Sequence, residues 1–137
     1  MVVRPFPLRN QLPDVLRSVM PDINWDMGKL HGLPGLPEVE IPVAELAWHL
    51  RLPFWSVGGV PFRVCPQDVL DAPDRYRDQW ERTLACDLNF PLHARVDPVD
   101  KVVIVDGIHR LLKATLLGQN CVRIRLVTDQ DLSAISM

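Results

Sequence analysis

Val102-Val103-Ile104-Val105-Asp106-Gly107-Ile108-His109-Arg110-Leu111-Leu112-Lys113-Ala114 is the stretch whose reading decides the fold. The unbroken apolar run Val102 to Val105 predicts a strand buried on both faces, and therefore a central one. Asp106-Gly107 stops that strand, and Asp106 is expected to cap a helix that Leu111, Leu112, Ala114, Thr115 and Leu116 fill with core-facing bulk. Gly118 ends the helix where a left-handed C-cap is wanted. A strand that turns directly into a helix leaves the first amides, those of Gly107, Ile108 and His109, unpaired and pointing outward. The helix dipole stands behind them, Gly107 has no side chain to block approach, and His109 and Arg110 add donors.

These features predict an anion seat, with phosphate as its natural guest. Arg110 could grip a phosphate through two parallel hydrogen bonds. Lys113, one turn after His109, lies on the same face and could reach a second phosphate of a polyphosphate chain. The residues also admit a plainer reading, in which Asp106 is only an N-cap, Gly107 only a turn residue, and Arg110 and Lys113 only solvated charges.

Working outward, Leu92 to Val96 and Lys101 to Val105 are separated by Asp97-Pro98-Val99-Asp100 and predict a hairpin, because proline presets the turn and the aspartates bond its backbone. Val122, Ile124 and Leu126 alternate with Arg123 and Arg125 in a further strand, and a short or fraying helix follows Thr128. Upstream, the pattern predicts a helix over about Pro73 to Cys86 and an edge strand at Val60 to Val64, where Pro61 cannot donate to a ladder. Val39-Glu40-Ile41 reads as a short strand before a helix over Val43 to Leu50, with Trp48 and His49 off its apolar stripe. Many of the 13 prolines fall in the first half and make it irregular. Leu12 to Met20 reads as one short helix there, and Gly28 to Pro37 as an ordered crossing loop.

With 137 residues, 47% hydrophobic and 23% charged, the chain fits one globular domain. The expected division is a proline-rich extension, 1–37, packed on a domain at 38–137. A net charge of -2 offers no broad cationic field, so DNA is a disfavoured partner. Cys65, Cys86 and Cys121 are odd in number and form no CxxC pair, which suggests neither a disulfide framework nor a zinc site and fits a reducing cytoplasm. Met1 to Arg9 lacks an apolar signal run, and no run approaches the roughly 20 residues that span a bilayer.

The segment Val103 to Ala114, with Gly118 and the apolar strand after it, resembles the D-G-x-H-R…A…L-G segment of ParB/sulfiredoxin-like domains. The likeness is good over Leu92 to Val127 and looser from Glu38. It implies an α+β fold, a small mixed β-sheet flanked by helices, and a nucleotide-phosphate site at Gly107, Ile108, His109, Arg110 and Lys113. ATP or ADP with Mg²⁺ is then the expected cofactor, Asp106 and His109 are the candidate catalytic residues, and no protein-bound metal is expected. Sulfiredoxins carry a catalytic cysteine where Ile108 stands, so a thiol-based reductase is disfavoured. Partition proteins continue into a helix-turn-helix that is not seen here. Free-serine kinases share Asp106, Gly107, His109 and Arg110, although Ile108 replaces a histidine of theirs and only Glu40 and Glu45 stand as candidates for their acidic base. The resemblance thus implies a nucleotide-dependent phosphotransferase acting on a small hydroxylated metabolite. The alternatives are a non-catalytic nucleotide-sensing module and a DNA-associated partition-like protein, and a homodimer is left open.

Among the remaining polar residues, His31 and His49 show no metal-ligand spacing and read as ordinary polar positions, while His93, on the strand beside the motif strand, either points to the site or, more commonly for such a residue, is a satisfied strand histidine. Asp87 and Asn89 either face the cleft or satisfy local backbone. Arg123 and Arg125 either widen a positive rim or form a solvent face. The tryptophans read as core or cleft wall, with base stacking open to Trp48 or Trp55, and Cys121 as a small buried apolar residue.

Overall fold

The computed structural model describes residues 6–137. Residues 1–5, which begin both the proline-rich extension and the stretch read for a signal run, lie outside the described residues. In chain order come α1 (Asp14–Arg17), α2 (Met27–Gly32), β1 (Glu38–Pro42), α3 (Val43–Leu46), β2 (Trp55–Val57), β3 (Val60–Val64), α4 (Pro66–Asp71), α5 (Arg77–Ala85), β4 (Leu92–Val96), β5 (Val102–Asp106), α6 (Ile108–Leu116), β6 (Cys121–Leu126) and α7 (Asp129–Ala134). Four strands form a mixed sheet in the order β1-β6-β4-β5, and β2 with β3 form a separate hairpin. Within the sheet only β4 and β6 run parallel; β1 with β6 and β4 with β5 are antiparallel. The architecture is the mixed α+β class that the sequence predicts.

The expectation of a central strand at Val102 to Val105 is corrected, because β5 is an edge strand. Its apolar run has another cause. Ile104 packs in the main core with Leu111, Leu112 and Ile124, while Val105 turns to a second core of Leu30, Val127, Leu132 and Ile135. Successive strand residues point to opposite faces, so a strand covered on both faces reads as continuously apolar wherever it lies in the sheet. His49 supplies what a further strand would have supplied. It is fully buried, donates from Nδ1 to the Leu46 carbonyl (2.8 Å), and accepts the Ile104 N–H at Nε2 (3.0 Å). The reading of His49 as an ordinary polar residue off the apolar stripe is therefore also corrected.

α6 buries Leu111, Leu112 and Ala114 completely, and each leucine contributes roughly 1.5–3 kcal/mol by leaving water. The predicted helix over Pro73 to Cys86 begins only at Arg77, with turns at 73–76 before it. α4 precedes it and was not anticipated; Pro66 opens that helix and Asp68 bonds back to the Cys65 N–H. The expected helices at Leu12 to Met20 and Val43 to Leu50 contract to α1 and to α3, the latter followed by a tighter turn at Ala47–Arg51. Cys121 is exposed, not buried, because the β-alternation that buries Val122 and Ile124 turns it outward.

The segment before β1 joins the fold through the second core. Leu30 of α2 is fully buried there, Trp25 bridges to Ser136, and the Met137 N–H donates to the Asn24 carbonyl. No helix among the described residues is long and apolar enough to cross a membrane.

Candidate functional site

The β5–α6 turn is built on Gly107, whose φ of +115° lies in the left-handed region that favours glycine. A Cβ there would stand 2.7 Å from Leu92 Cγ and 3.0 Å from Arg110 Nη2. Gly107 is the N-cap of α6, and no side chain caps the helix, which corrects the expectation that Asp106 does so. The Gly107 carbonyl accepts from Leu111 N–H, starting the helical ladder. The amides of Gly107, Ile108 and His109, expected from sequence to be unpaired, find no acceptor among the described residues, and neither does that of Arg110.

The Asp106 carboxylate enters a polar cluster instead of capping. Its Oδ2 accepts from Arg110 Nη2 at 2.8 Å and from His31 Nε2 at 2.9 Å, and lies 3.5 Å from His93 Nδ1. Strand register explains part of this assembly. Arg125 of β6 is the partner of His93 of β4, and His93 is the partner of Asp106 of β5, so the three stand in a row across the sheet. A register shift between His93 and Ala94 brings Asp106 opposite His93. His31, from α2, covers the row.

Arg125 ties the cluster to that cover. Its Nη1 donates to His93 Nε2 at 2.9 Å and to the His31 carbonyl at 3.2 Å, and its Nη2 donates to the Leu33 carbonyl. A guanidinium can only donate, so His93 Nε2 accepts and the ring hydrogen resides on Nδ1. At 3.5 Å from Asp106 Oδ2 that N–H is within electrostatic reach of the carboxylate but short of a well-formed hydrogen bond, and it has no other partner in a side chain 1% exposed. Arg110 Nε is a second buried, unpartnered donor of the same cluster. Burial raises the Asp106 pKa, but the pull of His93, Arg110 and His31 outweighs it and holds the carboxyl below its ordinary range. His31, read from sequence as an ordinary polar residue, and His93, read as a strand histidine either satisfied in place or facing the site, are thus both brought to Asp106.

His109 and Lys113 are engaged elsewhere. His109 stacks on Trp55 at 4.2 Å between ring centroids, and its Nε2 donates to Gln79 Oε1 at 2.9 Å. Burial, with Arg82 and Arg110 nearby, lowers its pKa to about 4, so the ring is neutral near neutral pH. Lys113 Nζ donates to the carbonyls of Leu84 (2.9 Å) and Cys86 (2.7 Å), closing the C-terminal end of α5. Binding a phosphate would require its release from there. Asp87 serves local backbone, accepting the Asn89 N–H, and Arg123 pairs with Glu38. Trp48 stacks on His49 and lies under the Lys101 ammonium.

Of the residues weighed from sequence, the structure therefore joins Asp106 and Arg110 to His31, His93 and Arg125 in one polar cluster beside Gly107, while Ile108 packs against the main core. Comparisons with protein-family models, curated proteins and solved structures each find no match to this chain.

Proposed function

We propose that the protein binds a phosphate-bearing nucleotide, ATP or ADP, at the mouth of the β5–α6 turn, as a phosphotransferase acting on a small hydroxylated metabolite. One observation carries the reading. A nine-residue helix with unbonded first amides begins at the residue after Gly107, and the Asp106 cluster next to that turn holds two buried donors: Arg110 Nε, which has no partner, and His93 Nδ1, whose nearest acceptor is Asp106 Oδ2 at 3.5 Å. A buried donor without an acceptor costs on the order of 1–3 kcal/mol, and an anionic oxygen is the kind of group that recovers it. The cluster formally holds two guanidiniums against one carboxylate, which favours an incoming anion. The D-G-x-H-R resemblance at Asp106 to Arg110 supports the same reading.

The donors present fit a phosphate. They fit a protein-held Mg²⁺ poorly, since Asp106 Oδ2 is already surrounded by Arg110, His31 and His93. The metal that assists transfer would be carried by the nucleotide's own phosphates. Phosphoryl transfer draws mainly on positioning and charge stabilisation, which amides and a guanidinium supply. Arg110 would exchange part of its Asp106 contact for a phosphate oxygen, while Lys113 stays with α5 and neutral His109 holds the helix against Trp55 and Gln79.

The test is thermal unfolding with ATP, ADP and CTP, each with and without Mg²⁺, on the native chain and Arg110→Ala. A nucleotide at about 100 times its Kd stabilises the native chain by about 2.7 kcal/mol. The ligand-induced shift should shrink in Arg110→Ala. No shift with any of the three nucleotides in the native chain refutes the proposal.

A further inference from the structure

We infer that His31 and Asp106 form a catalytic dyad, in which His31 Nδ1 is the general base of this site; the inference rests on the phosphate-binding reading above. A catalytic imidazole needs one nitrogen fixed by an acceptor, the other presenting its lone pair to the reaction, and a negative charge nearby to stabilise the imidazolium. His31 meets each requirement. Its Nε2 faces a carboxylate, which can only accept, so the hydrogen resides on Nε2 and the neutral ring presents its lone pair from Nδ1. Nδ1 has no partner among the described residues, and the side chain is 35% exposed. The carboxylate is 15% exposed and fixed by Arg110 from the opposite direction.

The other three histidines cannot serve. His49 has both nitrogens bonded inside the core. His93 carries its hydrogen on Nδ1 and accepts from Arg125 at Nε2, and His109 is stacked and tied to Gln79. The groups facing His31 are Asp106 from β5, His93 from β4, whose ring centroid is 5.0 Å away, and Arg125 from β6, which holds the His31 carbonyl.

Ligand atoms of His31, His93 and Asp106 also lie within 4.8 Å of one another, a spacing that a divalent ion can bridge. Two features oppose that use. The His93 nitrogen nearest Asp106 bears the hydrogen, and the Arg110 guanidinium already sits on the same Asp106 oxygen.

In the proposed step His31 Nδ1 takes the proton of an attacking hydroxyl as its oxygen bonds to the terminal phosphorus of a nucleoside triphosphate. The P–O bond to the leaving diphosphate breaks and its electron pair stays with the diphosphate. The imidazolium, held by Asp106, then returns its proton to solvent.

The test measures carbethoxylation by diethyl pyrocarbonate at each histidine, by mass spectrometry, on the full chain and on Asp106→Asn. His31 should react fastest of the four and slow severalfold in Asp106→Asn. Should that variant not fold, nitrogen-15 shifts of the native chain provide the same answer, showing His31 protonated on Nε2 and open on Nδ1. Equal His31 rates in the two folded proteins, or an Nδ1–H tautomer, overturn the dyad. So does Zn²⁺ protecting His31 and His93 together at micromolar concentration. None of these readouts contains nucleotide, so failure of the dyad and failure of the phosphate seat are read separately. With turnover in hand, His31→Gln should lower the rate about 10²-fold or more with little change in nucleotide affinity. An unchanged rate contradicts the role.

Discussion

Arg110 folds back over Gly107 to place its Nη2 2.8 Å from Asp106 Oδ2, so the last residue of the edge strand and the first turn of α6 are locked by an ion pair one helical turn apart. The pair is mostly buried, and it fixes the Arg110 side chain, the proposed phosphate ligand, beside the turn. Removing its acidic half has two separable effects. Asp106→Asn leaves Arg110 uncompensated and should cost about 3 kcal/mol in urea unfolding. It also frees the guanidinium and removes the negative charge beside the seat, so pyrophosphate measured by calorimetry should bind at least as tightly as to the native chain. Loss of pyrophosphate affinity in a folded Asp106→Asn protein would mean that the carboxylate itself helps to hold the ligand, contrary to the present account.

Gly107→Ala should destabilise by about 2 kcal/mol or more, since the left-handed backbone and the 2.7 Å approach to Leu92 Cγ act together. Gly118 also has positive φ but nothing within 4 Å of a built Cβ, so Gly118→Ala should cost about 1 kcal/mol, the backbone share alone. Equal losses at the two positions in chemical denaturation would remove the steric part of the explanation.

Acid should weaken the fold in two stages. His49 and His109 fall from an ordinary 6.5 to about 4 in the folded chain, each mainly through burial. Between those values the unfolded chain binds more protons than the folded one, so stability declines as pH drops from about 6.5 to about 4. Asp106 lies below its ordinary 3.8, and its contribution is lost at more acid pH still. Urea unfolding measured across this range should show the first decline, and a folded His49→Gln variant should flatten it. A native profile that is level from pH 6.5 to 4 contradicts the assignment.

Lys113→Met should lower stability by roughly 1–2 kcal/mol through loss of the Leu84 and Cys86 carbonyl contacts, and leave nucleotide affinity nearly unchanged. A tenfold weaker nucleotide Kd in this variant would return Lys113 to the phosphate site that its helical spacing suggested.

The hairpin, β6, the left-handed Gly118 and the unpaired first turn of α6 were legible because each rests on local chemistry: period-two alternation, an Asp-Pro turn and a strand that stops at glycine. The edge position of β5 was hidden because a run such as Val102 to Val105 reports coverage on both faces and not what lies alongside. Here that neighbour is His49, 55 residues earlier in the chain. The cluster was hidden for a similar reason. A regular register would pair His93 with Val105, and only the shift beside Ala94 sets it against Asp106. His31 arrives from 75 residues away, where its surroundings of glycine and proline suggested a loop rather than α2. Pro66 with Asp68 was the overlooked signal for α4, a helix start visible at the spacing of N1 and N3.

The most direct test of the phosphate seat follows the backbone amides themselves. In a nitrogen–proton correlation titration with ATP, the resonances of Ile108, His109 and Arg110 should shift first and farthest, saturating together with the Arg110 side-chain Nε–H. If those resonances stay fixed while others move, or if nothing moves at millimolar ATP, the start of α6 is not where the protein receives phosphate.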